Sequence, residues 1–405
     1  MTDTLITRLE DPCTWQEFLA ARVAGGHLTS HEEKNLRAFV EDRGWEAVMA
    51  RLAAGEGFSV PVRKLLAKRG SAKKRAVFIF PRDEMHVLKL LGHELAKRYD
   101  DAFAPNLYSF RPHRGVTRAM ADILRTPDIG GMWTYKADIS DYFNSIDVAR
   151  LVAQLRSLMA DEPAAFELLR GLLECPVSID GATGEEICVP KGAMAGMPVA
   201  VFLANLHLCP LDREFADRTD VVYARYSDDI IVFARSEQAR DEAAARIAEA
   251  LAGLGLSINP SKEVRTSPGE RWTFLGIGYE DGTVDISPAS QAKMLAKIRR
   301  RARAIERWRV RKGATRENAV TAFIRAMNRK FFAADDAHEL TWTRWYFPLI
   351  TTDATLRRID AHMQHWIRWL ATGSHAKQSF RYRYESMKER GYVSQIGRAS
   401  CRERV

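Results

Sequence analysis

The chain has 405 residues, 46% of them hydrophobic, which excludes a disordered polymer and leaves room for two or three subdomains around sizeable cores. Its 61 Lys and Arg against 52 Asp and Glu leave a formal charge of +9, a balance that suits a polyanionic partner without demanding one. Five scattered cysteines, with no CxxC or His-Cys grouping, exclude a disulfide framework and a zinc site and fit a reducing cytoplasm.

The N-terminal stretch "MTDTLITRLEDPCTW" has no basic-then-apolar leader. The longest apolar run, Met197 to Leu211, is too short and too polar for a membrane span, so a soluble cytoplasmic protein is expected. Residues 1–70 read as a helical extension, with Trp15, Phe18, Leu19 and Val23 at helical spacing and Gly25-Gly26 as a stop. "SAKKRAVFIF" (71–80) changes to a basic cluster and a strand closed by Pro81, and Val87, Leu88, Leu91 and Leu95 then return to helical spacing. "WTYKADISDYFNSID" begins as a strand near Trp133 and passes into a helix near Ser145, which places Asp138 at the strand's end and Phe143 at the turn. "GMPVAVFLANLHLCPLD" is apolar all round and predicts a buried helix; "EQARDEAAARIAEALAGLG" predicts an amphipathic one that covers a sheet. After Pro288 the chain turns helical, with Met294, Leu295, Ile298, Ala302 and Ile305 spaced for burial and Arg299, Arg300 and Arg303 free for phosphates. Residues 396–405 fit neither pattern and are set apart as an irregular tail or sequence scar.

The chemistry concentrates in "RYSDDIIVF" (225–233), where Asp228 and Asp229 interrupt an apolar, β-branched run. A hairpin turn favours Asp, so "SDD" has a bland reading. That reading leaves two adjacent acids without a glycine unexplained, since neighbouring carboxylates raise each other's pKa unless a cation neutralises them. A second strand end brings Asp138. Carboxylates converging from neighbouring strands would make an all-oxygen site suited to Mg²⁺ shared with substrate phosphates, although Asp138 could equally cap a helix.

Five segments in order, "YKADISDYFNSID", "KGAMAGMPVAVFLANLHLCPLD", "RYSDDIIVFA", "LGLSINPSK" and "FLGIGY", resemble the palm motifs of reverse transcriptases. "FIFPRDE" followed by "YSFRPHRGVTRAM" resembles the fingers of the bacterial branch related to group II introns. The resemblance spans about residues 70–370. It implies an α+β right-hand polymerase: fingers and palm (an antiparallel sheet packed on helices) over 71–287 and a helical thumb over 288–395. It also implies RNA-directed DNA synthesis with two Mg²⁺ ions, Mn²⁺ being an alternative, on an RNA template with dNTPs and a DNA product. Asp138, Asp228 and Asp229 then match the metal ligands, and Phe143 the steric gate that excludes a 2′-OH. Lys74, Arg75 and Arg82 are candidates for the incoming triphosphate, and Lys262 stands near the leaving pyrophosphate. Phe274, Leu275 and Gly276 resemble the turn that grips the primer. Arg111, Arg299, Arg300 and Arg303 are candidates for primer and template.

One departure stands out: the family usually has Gln before the glycine of its "PQG" motif, whereas here Ala195 precedes Gly196 at the nucleotide site. Ala cannot make Gln's polar contacts, so fidelity or template mode would differ. No HNH-like cluster follows, and the NAxxH and VTG landmarks of retron enzymes are absent. The combination looks most like the stand-alone, defence-associated reverse transcriptases of bacteria, whose template is a dedicated noncoding RNA. An intron-encoded enzyme with maturase function and a relic RNA-binding scaffold are the competing expectations.

Overall fold

The computed structural model describes residues 3–26, 28–67, 74–188, 190, 192–332 and 342–396. The chain divides into two compact units, 1–268 and 269–405.

The first unit opens with four helices, α1 (Leu5–Glu10), α2 (Pro12–Ala24), α3 (Ser30–Glu41) and α4 (Trp45–Ala53). Their starts are written locally: Thr4 and Thr29 close capping boxes, and Asp11 caps α2 ahead of Pro12. Trp15 stacks on Trp45 (5.2 Å, 15°), with Phe39 edge-on to both, so three of the helices share one aromatic centre. The helical reading of the first seventy residues ends there, because β1 (Val62–Ala67) is a strand. "VRKLLA" has no period-two alternation; its conformation comes from pairing with β2 (Lys74–Ile79), Val62 opposite Ile79 and Ala67 opposite Lys74.

Next come α5 (Arg82–Arg98), α6 (Val116–Leu124), β3 (Trp133–Asp138), α7 (Tyr142–Ser145), α8 (Val148–Leu158) and α9 (Pro163–Glu174). The helical turn after β3 begins at Tyr142, earlier than the expected Ser145, so Phe143 lies on α7. The unit continues with β4 (Val177–Asp180), β5 (Glu186–Cys188), α10 (Ala200–Ala216), β6 (Val221–Tyr226), β7 (Asp229–Ala234), α11 (Glu237–Gly253) and β8 (Val264–Thr266). Two four-stranded sheets result. One runs β2-β1-β4-β5; the other runs β6-β7-β3-β8, antiparallel throughout, with α10 and α11 packed on it as their sequences predict. The central β7 buries Ile230, Ile231, Val232 and Phe233 completely.

The second unit begins with a three-stranded antiparallel sheet, β9 (Trp272–Phe274), β10 (Ile277–Glu280) and β11 (Thr283–Ile286). α12 (Pro288–Lys312), α13 (Arg316–Phe331), α14 (Trp342–Tyr346), α15 (Ala354–Thr372) and α16 (Tyr384–Glu389) follow. Ser287 caps α12 and Gly313 ends it in the left-handed region. Met294, Ile298, Ala302 and Ile305 are buried against α13 and α15 as their spacing predicts, with Leu295 half-buried. Among the described residues no helix is long and apolar enough to cross a membrane, and Cys13, Cys175, Cys188 and Cys209 are free thiols. Of the set-apart tail only Ile396 is described.

Candidate active site

Asp138 is the last residue of β3 and stands directly opposite Asp229, the first residue of β7. Opposed residues of an antiparallel pair share a face, so the two carboxylates are brought to one side of the sheet by register alone. Asp228 precedes Asp229 in the β6–β7 turn, and its carbonyl accepts a 3.0 Å hydrogen bond from the Ile139 amide, which ties the turn to the end of β3. Asp138 is buried and Asp229 half-buried. Burial raises the pKa of Asp228 from its ordinary value, with the Asp138 charge adding to it; burial likewise raises Asp229, against the pull of Lys136.

Lys262 bonds to one of these acids directly from within the chain. The segment 257–262 runs along the end of β3, where Ser140 N–H donates to Ser257 O (2.8 Å) and Asn259 N–H to Asp138 O (2.7 Å). Lys262 Nζ thereby reaches Asp138 Oδ2 at 2.5 Å. Burial opposes the charge on Lys262, yet Asp138 raises its pKa above the ordinary lysine value. The site is therefore acid-rich, with the Lys262 ammonium bonded to Asp138 and the charges of Arg75 and Lys136 acting on Asp228 and Asp229.

The turn is held by residues that sequence reading passed over. Ser227 sits at φ 58, a position where hairpin turns favour glycine. Both of its backbone groups are engaged: its N–H donates to Ser109 Oγ (2.9 Å), and its carbonyl accepts from Arg225 Nη1 (3.0 Å). Arg225 is fully buried in β6 and grips Asp212 of α10 bidentately, Nε to Oδ1 at 2.7 Å and Nη2 to Oδ2 at 2.5 Å. Burial works against this guanidinium, but Asp212 more than offsets it and holds its pKa above normal. Tyr223 OH donates to the same Asp212 (3.0 Å), and Asn205 links α10 to Ser109 through two side-chain bonds. The signal was available: an arginine in an apolar strand requires an acid, and "CPLD" supplies one.

The nucleotide-site candidates divide. The Phe143 ring is half-buried beside Tyr142 (5.7 Å), and its carbonyl accepts from Ala193 N–H (2.8 Å). This closeness explains Gly192, where a Cβ would lie 2.3 Å from that carbonyl and φ is 53. Ala195 is buried, its carbonyl accepting from Phe78 N–H of β2 (2.8 Å), so here the loop approaches β2 through its backbone; Gly196 beside it is exposed. Lys74 and Arg75 are exposed on β2, and Arg75 is near enough that its charge acts on Asp228. Arg82 instead turns to Asp83 (3.1 Å). In the second unit, Phe274 is buried, while Leu275 (φ 50) and Gly276 (φ 85) form the two-residue turn between β9 and β10. Arg299, Arg300 and Arg303 are exposed on α12, with no acid paired to them among the described residues.

Arg111 requires a correction. Its guanidinium is 8% exposed and is used up by the Asp100 carboxylate (2.7 Å) and the carbonyls of Asp100, Ala104 and Leu107, so it staples the chain after α5 and does not face nucleic acid.

A sequence profile described as "Reverse transcriptase (RNA-dependent DNA polymerase)" matches residues 67–279, just over half of the chain. The chain belongs to the reverse transcriptase family. Its relatives include the retron Mx65 reverse transcriptase of Myxococcus xanthus, 25% identical over 61% of this chain and 56% of that protein. The retron Ec86 reverse transcriptase of Escherichia coli is 24% identical over 57% of this chain and 67% of that protein. The chain thus spans little more than half the length of the first of these relatives. In fold it is similar to apo telomerase of Candida tropicalis, with a TM-score of 0.50, 11% identity, and coverage of 85% of this chain and 64% of that one. The mixed architecture of antiparallel sheets and helices is that of a right-hand polymerase.

Proposed function

We propose that this reverse transcriptase is an active RNA-directed DNA polymerase, and that Asp138, Asp228 and Asp229 hold its divalent metal ions. The observation that supports this most is the juxtaposition of the three acids, Asp138 and Asp229 by strand register and Asp228 by the turn tied to Ile139, with raised pKa values at Asp228 and Asp229 and Lys262 bonded to Asp138. Reverse transcriptases generally use divalent metal ions, and an all-oxygen donor set suits Mg²⁺, with Mn²⁺ as a substitute. Among the described residues no group of three acids, histidines or cysteines closes on one point. An ion there would be held by one or two carboxylates and completed by substrate phosphates. Bound there, the ions would lower the pKa of a primer 3′-hydroxyl and offset charge on the leaving pyrophosphate.

The chain's own residues supply the rest. Arg75 and Lys262 place positive charge beside the acids, where a triphosphate arrives and pyrophosphate departs. Phe143 narrows the sugar position and favours deoxynucleotides. The exposed arginines of α12, in a helical thumb over 288–395, contact template and primer. The template is a dedicated noncoding RNA, and the biological setting is bacterial antiphage defence in the cytoplasm. The motif order and the Ala195 departure support placement among the stand-alone enzymes, and the retron relatives agree with a bacterial lineage.

The test is incorporation of dNTPs on a primed RNA template. Asp138→Ala and Asp228→Ala should abolish Mg²⁺-dependent synthesis with little change in RNA affinity, because affinity rests on the basic surface. Undiminished synthesis by either variant would remove the assignment, and an inert wild type would favour a relic scaffold.

A further inference from the structure

The second unit carries an aromatic array that the polymerase site does not use. α15 ends at Thr372, and the chain reverses at Gly373, whose φ is 75. A Cβ there would lie 2.5 Å from the Arg316 guanidinium, so the reversal is reserved for glycine. It brings His375 back over the helix. The His375 ring lies parallel to Trp369 (centroids 5.5 Å apart, 9° between planes) and to His365 (4.9 Å, 11°). A 3.0 Å contact between His375 Nδ1 and His365 Nε2, one ring nitrogen donating to the other, ties the rings together. Trp366, buried beneath, meets all three nearly edge-on, at 80–89°. His365 and His375 are exposed and Trp369 half-buried.

The surroundings are cationic. The Arg303 guanidinium of α12 lies 5.9 Å from the Trp366 ring, and Arg368 of α15 lies 4.8 Å from the ring of Phe380, itself 65% exposed. Arg299, Arg300 and Arg303 lack an acid partner among the described residues. Elsewhere the exposed Arg118 and Arg357 are each bonded to an acid four residues away. Flat exposed rings beside unpaired guanidinium groups match the chemistry of an unpaired nucleobase and its phosphates better than that of an apolar peptide, which would meet aliphatic grooves.

We infer that His365, His375 and Trp369 form a stacking platform for an unpaired base of single-stranded RNA, with Arg299, Arg300 and Arg303 neutralising the adjoining phosphates. The choice of RNA rests on the polymerase reading above; the platform itself does not.

The experiment measures binding of a short unstructured RNA oligonucleotide to the full chain across a salt series, without dNTPs, beside DNA of the same sequence. His375→Ala and Trp369→Ala should each weaken RNA binding about five- to a hundred-fold, the range for loss of one base–aromatic stack. The slope of log affinity against log salt should not change, because no phosphate contact is removed. His375→Tyr keeps a flat ring and should stay within about twofold of wild type. Wild-type affinity in both Ala variants, with melting temperature intact, would overturn the platform. So would a loss in His375→Tyr as large as in His375→Ala, or a flattened salt slope. Tighter binding of the DNA would overturn RNA as the occupant. A wild type that shows the expected stacking losses yet incorporates no dNTP would support the platform and overturn the polymerase reading, so the two fail separately.

Discussion

Asp212→Ala isolates the buried clamp behind the turn that carries Asp228. Both partners of the Arg225–Asp212 pair are 0% exposed, and the variant would leave a guanidinium in the core with its bidentate acceptor gone. Removing one member of such a pair costs about 3–5 kcal/mol, because the remaining charge stays desolvated. For a unit of this size that corresponds to a fall in melting temperature of roughly 6–20 °C, at about 2–4 °C per kcal/mol. Stability alone does not test positioning, so a second variant separates the roles. In Asp212→Leu/Arg225→Met/Tyr223→Phe the charges and the dependent hydroxyl leave together, and apolar replacement of a buried pair is often neutral or better. This variant should recover most of the lost melting temperature. It also removes the donor to the Ser227 carbonyl, and with it one of the two bonds that hold the turn at φ 58. Incorporation should then remain about ten- to a hundred-fold below wild type, the scale of a misplaced reacting group. Scanning calorimetry and steady-state incorporation on a primed RNA template read the two effects. A triple variant with wild-type incorporation, or an Asp212→Ala protein with an unchanged melting temperature, would refute the reasoning.

Phe143→Ala should keep Mg²⁺-dependent synthesis while accepting ribonucleotides much more readily; a fall in stability with sugar preference unchanged would return the ring to a packing role. Replacing Arg299, Arg300 and Arg303 with Gln should weaken template binding and reduce the salt slope by about three, near one per phosphate contact, so an unchanged slope would make this a solvated face. Two buried histidines set a pH limit. Burial lowers His86, whose ring lies tilted against Phe39, and His207 from 6.5 to about 4 each. Between those values the unfolded chain binds the protons and the fold does not, so stability is full above about pH 6.5 and is lost as pH falls towards 4. Each contributes on the order of 3 kcal/mol, and His86→Phe should reduce the pH dependence in denaturant titrations by about that amount; an unaltered slope would rule His86 out.

The metal-ligand candidates were legible because like charges inside an apolar, β-branched run contradict their setting, and Asp138 because its strand period ends on it. The clamp was harder to read. Arg225 and Asp212 are thirteen positions apart on different elements, and only the packing of β6 against α10 makes them partners. Arg111 misled for the opposite reason: a basic residue next to a recognisable motif reads as a phosphate ligand until Asp100 is seen to hold it. β1 escaped notice because Leu65 and Leu66 are half exposed, at 50% and 53%, so its burial carries no period and only its pairing defines it. The stacked rings of α15 were ambiguous by composition, since Trp366 is core while His375 is exposed, and the reversal at Gly373 that unites them leaves no periodic trace.

The opposition of Asp138 and Asp229 makes the proposed catalytic face a matter of counting as well as of chemistry. Side chains alternate along a strand, so deleting one residue between Trp133 and Asp138 would turn that carboxylate to the far side of the sheet while leaving Asp228 and Asp229 in place. A compensating shift along β7 would not rescue it, because β7 is also paired with β6 and carries four fully buried side chains in succession. Changes of length are therefore confined to connections such as the exposed turn at 181–185, between β4 and β5. The reading frame of three strands, set residue by residue, is itself part of the proposed site.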